Sequence, residues 1–197
     1  MEGFKISEKG KQLLDLLRNE SHIDLKVMAR AIEYIATFHR GQMRKSGEPF
    51  YHHPIEVACI LIPFTTDQDT LIAALLHDTV EDTTLALTQI AFMFNPTIAH
   101  LVAGVTKFNE AWRRHFLENY EMHYRLLPRQ ETDKKIVQIK IADRTHNMRT
   151  IQYHPSLNKQ KKIAEETLDI FLPMAQGMGL DVLVKELEEL CVVILKK

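Results

Sequence analysis

The stretch that decides the fold is LIAALLHDTVEDTT, residues 71–84, in which six apolar residues run directly into a group of titratable side chains. The apolar part, Leu71–Leu76, has no polar face, so it predicts a helix that is buried on all sides. His77 and Asp78 end this helix, and Glu81 and Asp82 follow within four residues. Titratable groups at the end of a buried segment must pair, lose their charge or bind a cation.

Two interpretations of this stretch differ in whether it holds a metal. If the helix continues, residues four apart share a face, so His77 lies over Glu81 and Asp78 lies over Asp82. An imidazole beside carboxylates suits a divalent ion, because histidine and aspartate are both ligands of such metals. Alternatively, His77 and Asp78 only end a core helix and the two later acids lie in solvent.

A second apolar stretch, IVQIKIAD, also ends in an acid, Asp143, and His146 and Asn147 follow within one helical turn. This pattern predicts a second wall of the same pocket. The alternative is that Asp143 forms an ordinary ion pair with Lys140 or Arg144.

A third place where titratable residues stand at the edge of an apolar helix is the HHP sequence at residues 52–54. Proline disfavours helical backbone in the residue before it, so His53 is predicted to be extended at the entrance of a helix that Pro54 begins. Taken alone, His53 is an ordinary loop histidine. Three groups of titratable residues, each at the edge of an apolar helix, favour one shared site.

The composition predicts an all-α fold. The chain has 197 residues, 45% of them hydrophobic, and only 7 glycines, enough for one compact domain spanning residues 1–197. Apolar residues recur three and four apart, which predicts a bundle of about ten helices. The predicted helices are residues 7–17, capped by Ser7, 24–41, capped by Asp24, 54–62, 67–78, 84–94, 96–107, 110–126, 132–151, 156–174 and 181–195.

Charge and cysteine content exclude several classes of protein. The net charge is −1, with 25 basic and 26 acidic side chains, which argues against a nucleic-acid or membrane surface. Cys59 and Cys191 stand far apart in apolar contexts, so neither a disulfide framework nor a cysteine zinc site is predicted. Without a signal-peptide pattern or an 18-residue apolar run, we expect a cytoplasmic protein.

The longest irregular stretch, GQMRKSGEPFYHHP, is basic and glycine-rich. Arg40, Arg44 and Lys45 stand beside Gly41 and Gly47, a composition that suits phosphate binding by charge and by the planar fork of arginine. The alternative is that these cations are only solvated.

In this order, HHP, LLHDTVEDT, VTKF, IKIADRTHNMRT and EETLDIFLPMAQGMGL resemble the hydrolase domain of the RelA/SpoT homologues, which are HD-type metal phosphohydrolases. The similarity runs from about Ala29 to Leu190. It implies an HD-type helical fold. Because the chain ends at Lys197, the resemblance indicates a small stand-alone hydrolase of the alarmones of the stringent response.

The resemblance also implies site residues and a cofactor. The metal ligands are expected to be His53, His77, Asp78 and Asp143, and the catalytic acids Glu81 and Asp82. The nucleotide is expected to contact Arg44, Lys45, Ser46, Phe50, Asn147 and Thr150. Manganese is the expected ion, and another divalent transition metal remains open.

The implied reaction is hydrolysis of the 3′-diphosphate of (p)ppGpp-type alarmones to GDP or GTP, or the adenine equivalents, plus pyrophosphate. The alternative is a 2′- or 3′-phosphatase acting on NADPH or another nucleotide at the same metal site. The expected partner is a small nucleotide rather than a nucleic acid or a membrane, and a homo-oligomer is left open. Two departures from the family pattern, His52 and Thr145, leave the base and phosphate preference open.

Overall fold

The computed structural model of the chain describes the backbone of residues 6–115 and 131–197 and the side chains of residues 6–106 and 134–197. All regular secondary structure in these ranges is helical. One isolated antiparallel bridge joins Met43 and Pro49. The all-α prediction is confirmed. The predicted helix at residues 110–126 lies outside the described residues from residue 116 onwards.

The first of two compact units spans Met1–Asn109. Its helices are α1 (Glu8–Leu16), α2 (Leu25–Phe38), α3 (His52–Leu61), α4 (Gln68–Leu76), α5 (Thr79–Asp82), α6 (Leu87–Met93) and the first part of α7 (Pro96–His115). The break predicted after residue 107 is absent from the backbone of α7, because no glycine or proline stands at residues 107–110 to end the helix.

The second unit spans Glu110–Lys197. Its elements are the end of α7, α8 (Glu131–Arg149), a 3-10 turn (Ile151–Tyr153), α9 (Leu157–Glu166), a π-helical turn (Thr167–Phe171), α10 (Leu172–Gly177) and α11 (Asp181–Leu195). The single domain over residues 1–197 stays a prediction.

Both predicted N-terminal caps are confirmed. The Ser7 side chain accepts a hydrogen bond from the Gly10 N–H at 3.3 Å, and the Asp24 carboxylate accepts from the N–H groups of Lys26 and Val27 at 2.8 and 3.3 Å. These side chains satisfy backbone donors that have no partner within the first turn of a helix.

The core of the first unit is built around α4, which packs against α2 and α3. Residues Leu71–Leu76 are fully buried, as predicted. The helix ends at Leu76, two residues earlier than predicted, because side chains occupy its last carbonyls. The Thr79 hydroxyl donates to the Leu76 carbonyl at 2.6 Å, and the His77 ring bonds the Ala74 carbonyl at 2.8 Å, so a new short helix, α5, begins at Thr79.

The prediction for the start of α3 is wrong. The helix begins at His52, and His53 is helical rather than extended. Pro54 fits the first turn because backbone N–H groups there need no partner within the helix. The chain is already turning before the proline, since the His52 and His53 N–H groups donate to the carbonyls of Pro49 and Phe50 at 3.1 and 2.9 Å.

The helix predicted at residues 156–174 is interrupted by the π-helical turn at Thr167–Phe171. Pro173 follows at the start of α10 and has no N–H to donate to the turn before it. Widening the preceding turn makes room for the proline ring, and the helix resumes without a loop.

Cys59 and Cys191 are both free thiols. Burial raises the pKa of Cys59 to about 12 and that of Cys191 to about 11, so both stay protonated at neutral pH. Among the described helices, none combines the length and apolar character needed to cross a membrane.

We expect Asp24→Ala to lower the free energy of unfolding by about 1 kcal/mol, because two backbone donors of α2 lose their acceptor. Asp24→Asn is the matched control, since asparagine caps helices about as well as aspartate. Urea unfolding followed by circular dichroism measures both. An equal loss in the two variants would show that charge, and not capping, is what Asp24 contributes.

Candidate active site

His77 and Asp78 lie at the junction between α4 and α5. The His77 ring is completely buried, and its Nδ1 is 2.8 Å from the carbonyl oxygen of Ala74. A carbonyl only accepts hydrogen bonds, so Nδ1 carries the proton and Nε2 carries the lone pair. The His77 Nε2 atom is 3.1 Å from the Asp78 Oδ1 atom. The junction therefore presents a nitrogen and an oxygen ligand side by side.

His53 reaches the same place from α3. Its ring is buried, and its Nε2 is 3.5 Å from the second carboxylate oxygen of Asp78. The ring centroids of His53 and His77 are 5.3 Å apart, and one ligand nitrogen of each lies within 4.8 Å of the other. The structure thus brings three of the four predicted metal ligands together within the first unit.

The spacing of these three side chains fits a metal ion. Nitrogen and oxygen ligands bind divalent ions at about 2.0–2.2 Å, so neighbouring ligand atoms around one ion lie about 3 Å apart. The separations of 3.1 and 3.5 Å from Asp78 to the two histidines have this size. A group of two imidazoles and a carboxylate can hold a divalent ion, with the proton of His77 directed away from it.

Glu81 and Asp82 are the last two residues of α5, and both are exposed. The Asp82 N–H donates to the Asp78 carbonyl at 2.9 Å, so the backbones of these two residues are joined by a helical hydrogen bond. The predicted side-chain stacking of His77 over Glu81 and of Asp78 over Asp82 stays a prediction. Although Asp82 is exposed, its carboxyl is partly shielded from water, and this desolvation, followed by the negative charge of Asp78, raises the pKa of the Asp82 carboxyl, while His39, His77 and His53 oppose the shift.

The basic loop folds back next to His53. The Arg44 N–H donates to the Glu48 carbonyl at 2.8 Å, and Gly47 closes this turn with a φ of 84°, which favours glycine. The Arg44 guanidinium lies 6.0 Å from the centroid of the Phe50 ring. Phe50 also lies next to His53, at 6.1 Å between ring centroids and nearly perpendicular. The loop and the histidine pair therefore share an aromatic contact.

An ion pair that the sequence did not predict anchors this loop. Lys9 of α1 lies 2.6 Å from Glu56 of α3 and 3.5 Å from Glu48 of the loop. This cation therefore bridges the loop to the helix that carries His53. Of the other predicted loop contacts, Lys45 is exposed and Ser46 is half-buried.

Asp143 lies in α8, in the second unit, and both of its carboxylate oxygens accept hydrogen bonds. Lys140 Nζ is 2.9 Å from Oδ2, and Asn147 Nδ2 is 2.7 Å from Oδ1. Of the two ion pairs considered from the sequence, the one to Lys140 forms, whereas Arg144 pairs with Glu166 at 3.3 Å. Asp143 stays a predicted metal ligand.

The other predicted nucleotide contacts of the second unit are Asn147 and Thr150. Asn147 orients Asp143, and the Thr150 hydroxyl donates to the His146 carbonyl at 3.1 Å, just beyond the end of α8. Their contacts with a nucleotide stay predictions.

Sequence reasoning missed two residues that the structure connects to the site, His39 and Gln42. His39 is buried and lies against Phe50, with 4.7 Å between ring centroids. A signal for His39 is present in the sequence, because it continues the buried face of α2 four residues after Ile35 and three after Ala36. No local pattern marks Gln42.

Residues 31–181 match the HD domain family, and the chain belongs to this family. It is 41% identical over 171 residues to a GTP pyrophosphokinase of Myxococcus xanthus, covering 85% of this chain and 22% of the relative. It is 42% identical over 154 residues to the bifunctional (p)ppGpp synthase/hydrolase SpoT of Escherichia coli K12, covering 77% of this chain and 22% of the relative. The chain thus spans about a fifth of the length of these relatives.

A second relative from Escherichia coli, strain O157:H7, is named guanosine-3′,5′-bis(diphosphate) 3′-pyrophosphohydrolase and is also 42% identical over 154 residues, 77% of this chain and 22% of the relative. A solved structure described as a metazoan ortholog of SpoT that hydrolyzes ppGpp superimposes with a TM-score of 0.67 at 25% identity, covering 86% of this chain and 96% of that chain. The resemblance to the RelA/SpoT hydrolase domain is confirmed.

We expect Asp78→Asn to weaken the binding of added Mn²⁺ beyond the roughly 10–100-fold cost of losing an outer-shell group, because the amide removes a negative charge from the predicted metal site. Asp82→Asn, four residues further on, is the matched control and should bind Mn²⁺ like the parent. Titration calorimetry gives the affinities. A second measure is the stabilisation by bound metal, about 2.7 kcal/mol at 100 times the dissociation constant. Equal affinity in both variants would contradict the ligand role of Asp78.

Proposed function

We propose that this chain hydrolyses the 3′-diphosphate of (p)ppGpp-type alarmones, releasing pyrophosphate and leaving GDP or GTP, or the adenine equivalents. The observation that carries the proposal is the group of His53, His77 and Asp78 beside Phe50, the ring over which Arg44 lies. A candidate metal site and a cationic, aromatic loop thus lie next to each other within one unit. The relative from E. coli O157:H7 that is named for this reaction supports the substrate.

His53, His77, Asp78 and Asp143 are the proposed ligands of one Mn²⁺ ion. Two imidazoles and two carboxylates leave positions open on an ion that prefers six ligands, as a catalytic site requires. When bound, the ion supplies Lewis-acid activation of water and neutralises phosphate charge. The inclusion of Asp143 is supported by its own environment, because Lys140 and Asn147 fix both carboxylate oxygens in the way that outer-shell partners orient a ligand.

The basic loop is the proposed nucleotide-binding segment. Arg44 and Phe50 offer a planar cation and a ring against which a base can stack. Lys45 and Ser46 are proposed to contact the same nucleotide. Because Phe50 also contacts His53, a base held here directs its ribose 3′ side towards the proposed metal ligands.

Asn147 and Thr150 are proposed to contact the sugar and phosphates. This proposal comes from the family resemblance, and it is compatible with the polar ends of both side chains. A small nucleotide substrate and a cytoplasmic location complete the proposal.

Glu81 and Asp82 are the proposed acid–base pair. Glu81 orients the attacking water and accepts its proton. Asp82 assists the departure of the ribose 3′ oxygen. The water oxygen forms a bond to the phosphorus that carries the ribose 3′ oxygen, and the bond between that phosphorus and the 3′ oxygen breaks. One proton ends on the 3′ oxygen, and pyrophosphate leaves. Their exposed position at the end of α5 is consistent with access to a bound substrate.

With Mn²⁺ present, we expect pyrophosphate release from ppGpp, pppGpp or ppApp, measured by separating the products by ion-exchange chromatography. The double variant Glu81→Gln/Asp82→Asn should lose about 10²–10⁴-fold in kcat, because both proton-transfer groups are removed. The variant should still bind metal and nucleotide, which calorimetry checks.

Two results would contradict the proposal. Release of inorganic phosphate from NADPH, without pyrophosphate from the alarmones, would identify the alternative phosphatase. Tight binding of metal and nucleotide with no turnover in the parent protein would identify a nucleotide-binding module. A double variant as active as the parent would contradict the roles of Glu81 and Asp82 alone.

A further inference from the structure

Gln42 joins the basic loop to the end of α5 through hydrogen bonds of both its backbone and its side chain. Its backbone N–H donates to the His39 carbonyl at 3.0 Å, and its own carbonyl accepts from the Phe50 N–H at 2.9 Å. Its side-chain Nε2 donates to the carbonyl of Asp82 at 3.0 Å, and its Oε1 is 2.7 Å from His39 Nδ1. Of these bonds, the one to Asp82 connects residues that are 40 positions apart.

The direction of these bonds fixes the tautomer of His39. The Asp82 carbonyl only accepts, so the amide NH₂ of Gln42 must face it, and the amide oxygen must face His39. His39 Nδ1 therefore carries a hydrogen, and in the neutral ring Nε2 carries the lone pair. This Nε2 atom is buried and has no hydrogen-bond partner among the described residues, which agrees with a ring held by its other nitrogen.

His39 in turn packs against Phe50, the ring against which the nucleotide base is proposed to stack. Its ring lies 4.7 Å from Phe50, at an angle of 31° between the planes. The Arg44 guanidinium lies over the Phe50 ring, 6.0 Å from its centroid. A continuous set of contacts therefore runs from Arg44 through Phe50, His39 and Gln42 to the main chain of Asp82.

We propose that Gln42 is a positioning residue, whose amide fixes the spacing between the loop that binds the nucleotide and the helix end that carries Glu81 and Asp82. This inference rests on the proposed function. The hydrogen bonds of Gln42 go to His39, Phe50 and the Asp82 main chain, so Gln42 acts through these residues.

The end of α5 needs such an external contact. The helix has four residues, too few to hold its shape without tertiary contacts. The carbonyl of Asp82 stands at its C-terminal end, where helix carbonyls have no partner within the helix, and Gln42 supplies the donor. Misplacing reacting groups by about 1 Å can cost about 10²-fold in rate, so a contact of this kind matters for turnover.

Gln42→Met is the first test, because methionine keeps the length of the side chain and removes both amide bonds. We expect kcat for ppGpp with Mn²⁺ to fall by about 10–100-fold while KM changes little, since alignment is lost and the loop cations remain. Gln68→Met is the matched control. The Gln68 oxygen accepts from the Asp24 N–H at 2.6 Å at the opposite end of α2, so this variant loses a comparable bond away from the proposed site.

Gln42→Glu separates the two amide bonds. Glutamate still accepts from His39 Nδ1 but cannot donate to the Asp82 carbonyl. We expect kcat to fall as in Gln42→Met. Nitrogen-15 spectra of the His39 ring should show the Nδ1–H tautomer in the parent and in Gln42→Glu, and a mixture or the other tautomer in Gln42→Met.

The ring spectra do not depend on activity, so they test the hydrogen bonds of the Gln42 amide even if the parent does not hydrolyse ppGpp. A parent without hydrolysis would contradict the proposed function instead. A parent His39 protonated on Nε2 alone would overturn the inference. Unchanged kcat in Gln42→Met, or an equal loss in Gln68→Met, would overturn it as well. If Gln42→Met does not fold, Gln42→Glu decides the outcome, and parental kcat in that variant overturns the inference.

Discussion

The hydrogen bond between His77 and the Ala74 carbonyl is the interaction on which the site depends. It supplies a partner for a carbonyl in the last turn of α4, at the end of the fully buried residues Leu71–Leu76. It also decides which ring nitrogen of His77 keeps a lone pair, and that nitrogen is the one beside Asp78. One contact thus closes the core and orients a proposed ligand.

The remaining elements of the first unit bring groups to this fixed point. The helix α3 supplies His53, whose burial against α4 leaves its ring few orientations. The basic loop is held by an ion pair to Lys9, by the contact of Phe50 with His53 and by the hydrogen bonds of Gln42. These contacts connect the packed core to the polar residues of the loop. The proposed hydrolysis of a highly charged nucleotide requires placement of this kind.

The sequence predicted the features that depend on local chemistry. Caps at Ser7 and Asp24 and the burial of α4 follow from residue type and periodicity, and the structure has all three. It mispredicted features decided by competition between a side chain and the backbone, such as the early end of α4 and the helical His53. It could not reveal Gln42, because the bond to Asp82 depends on how segments 40 residues apart are packed. The family pattern supplied Asp143, which spacing alone left open.

The ion pair between Lys9 and its two glutamates has a consequence for where the working unit begins. The family match starts at residue 31, yet Lys9 stands well before it, on a helix that packs against both α2 and α3. A fragment cut at the family boundary would lose α1 and the first turns of α2, and with them the cation that pairs with Glu48 and Glu56. Lys9 therefore belongs to the set of residues that holds the basic loop against α3, although it lies outside the range matched by the family.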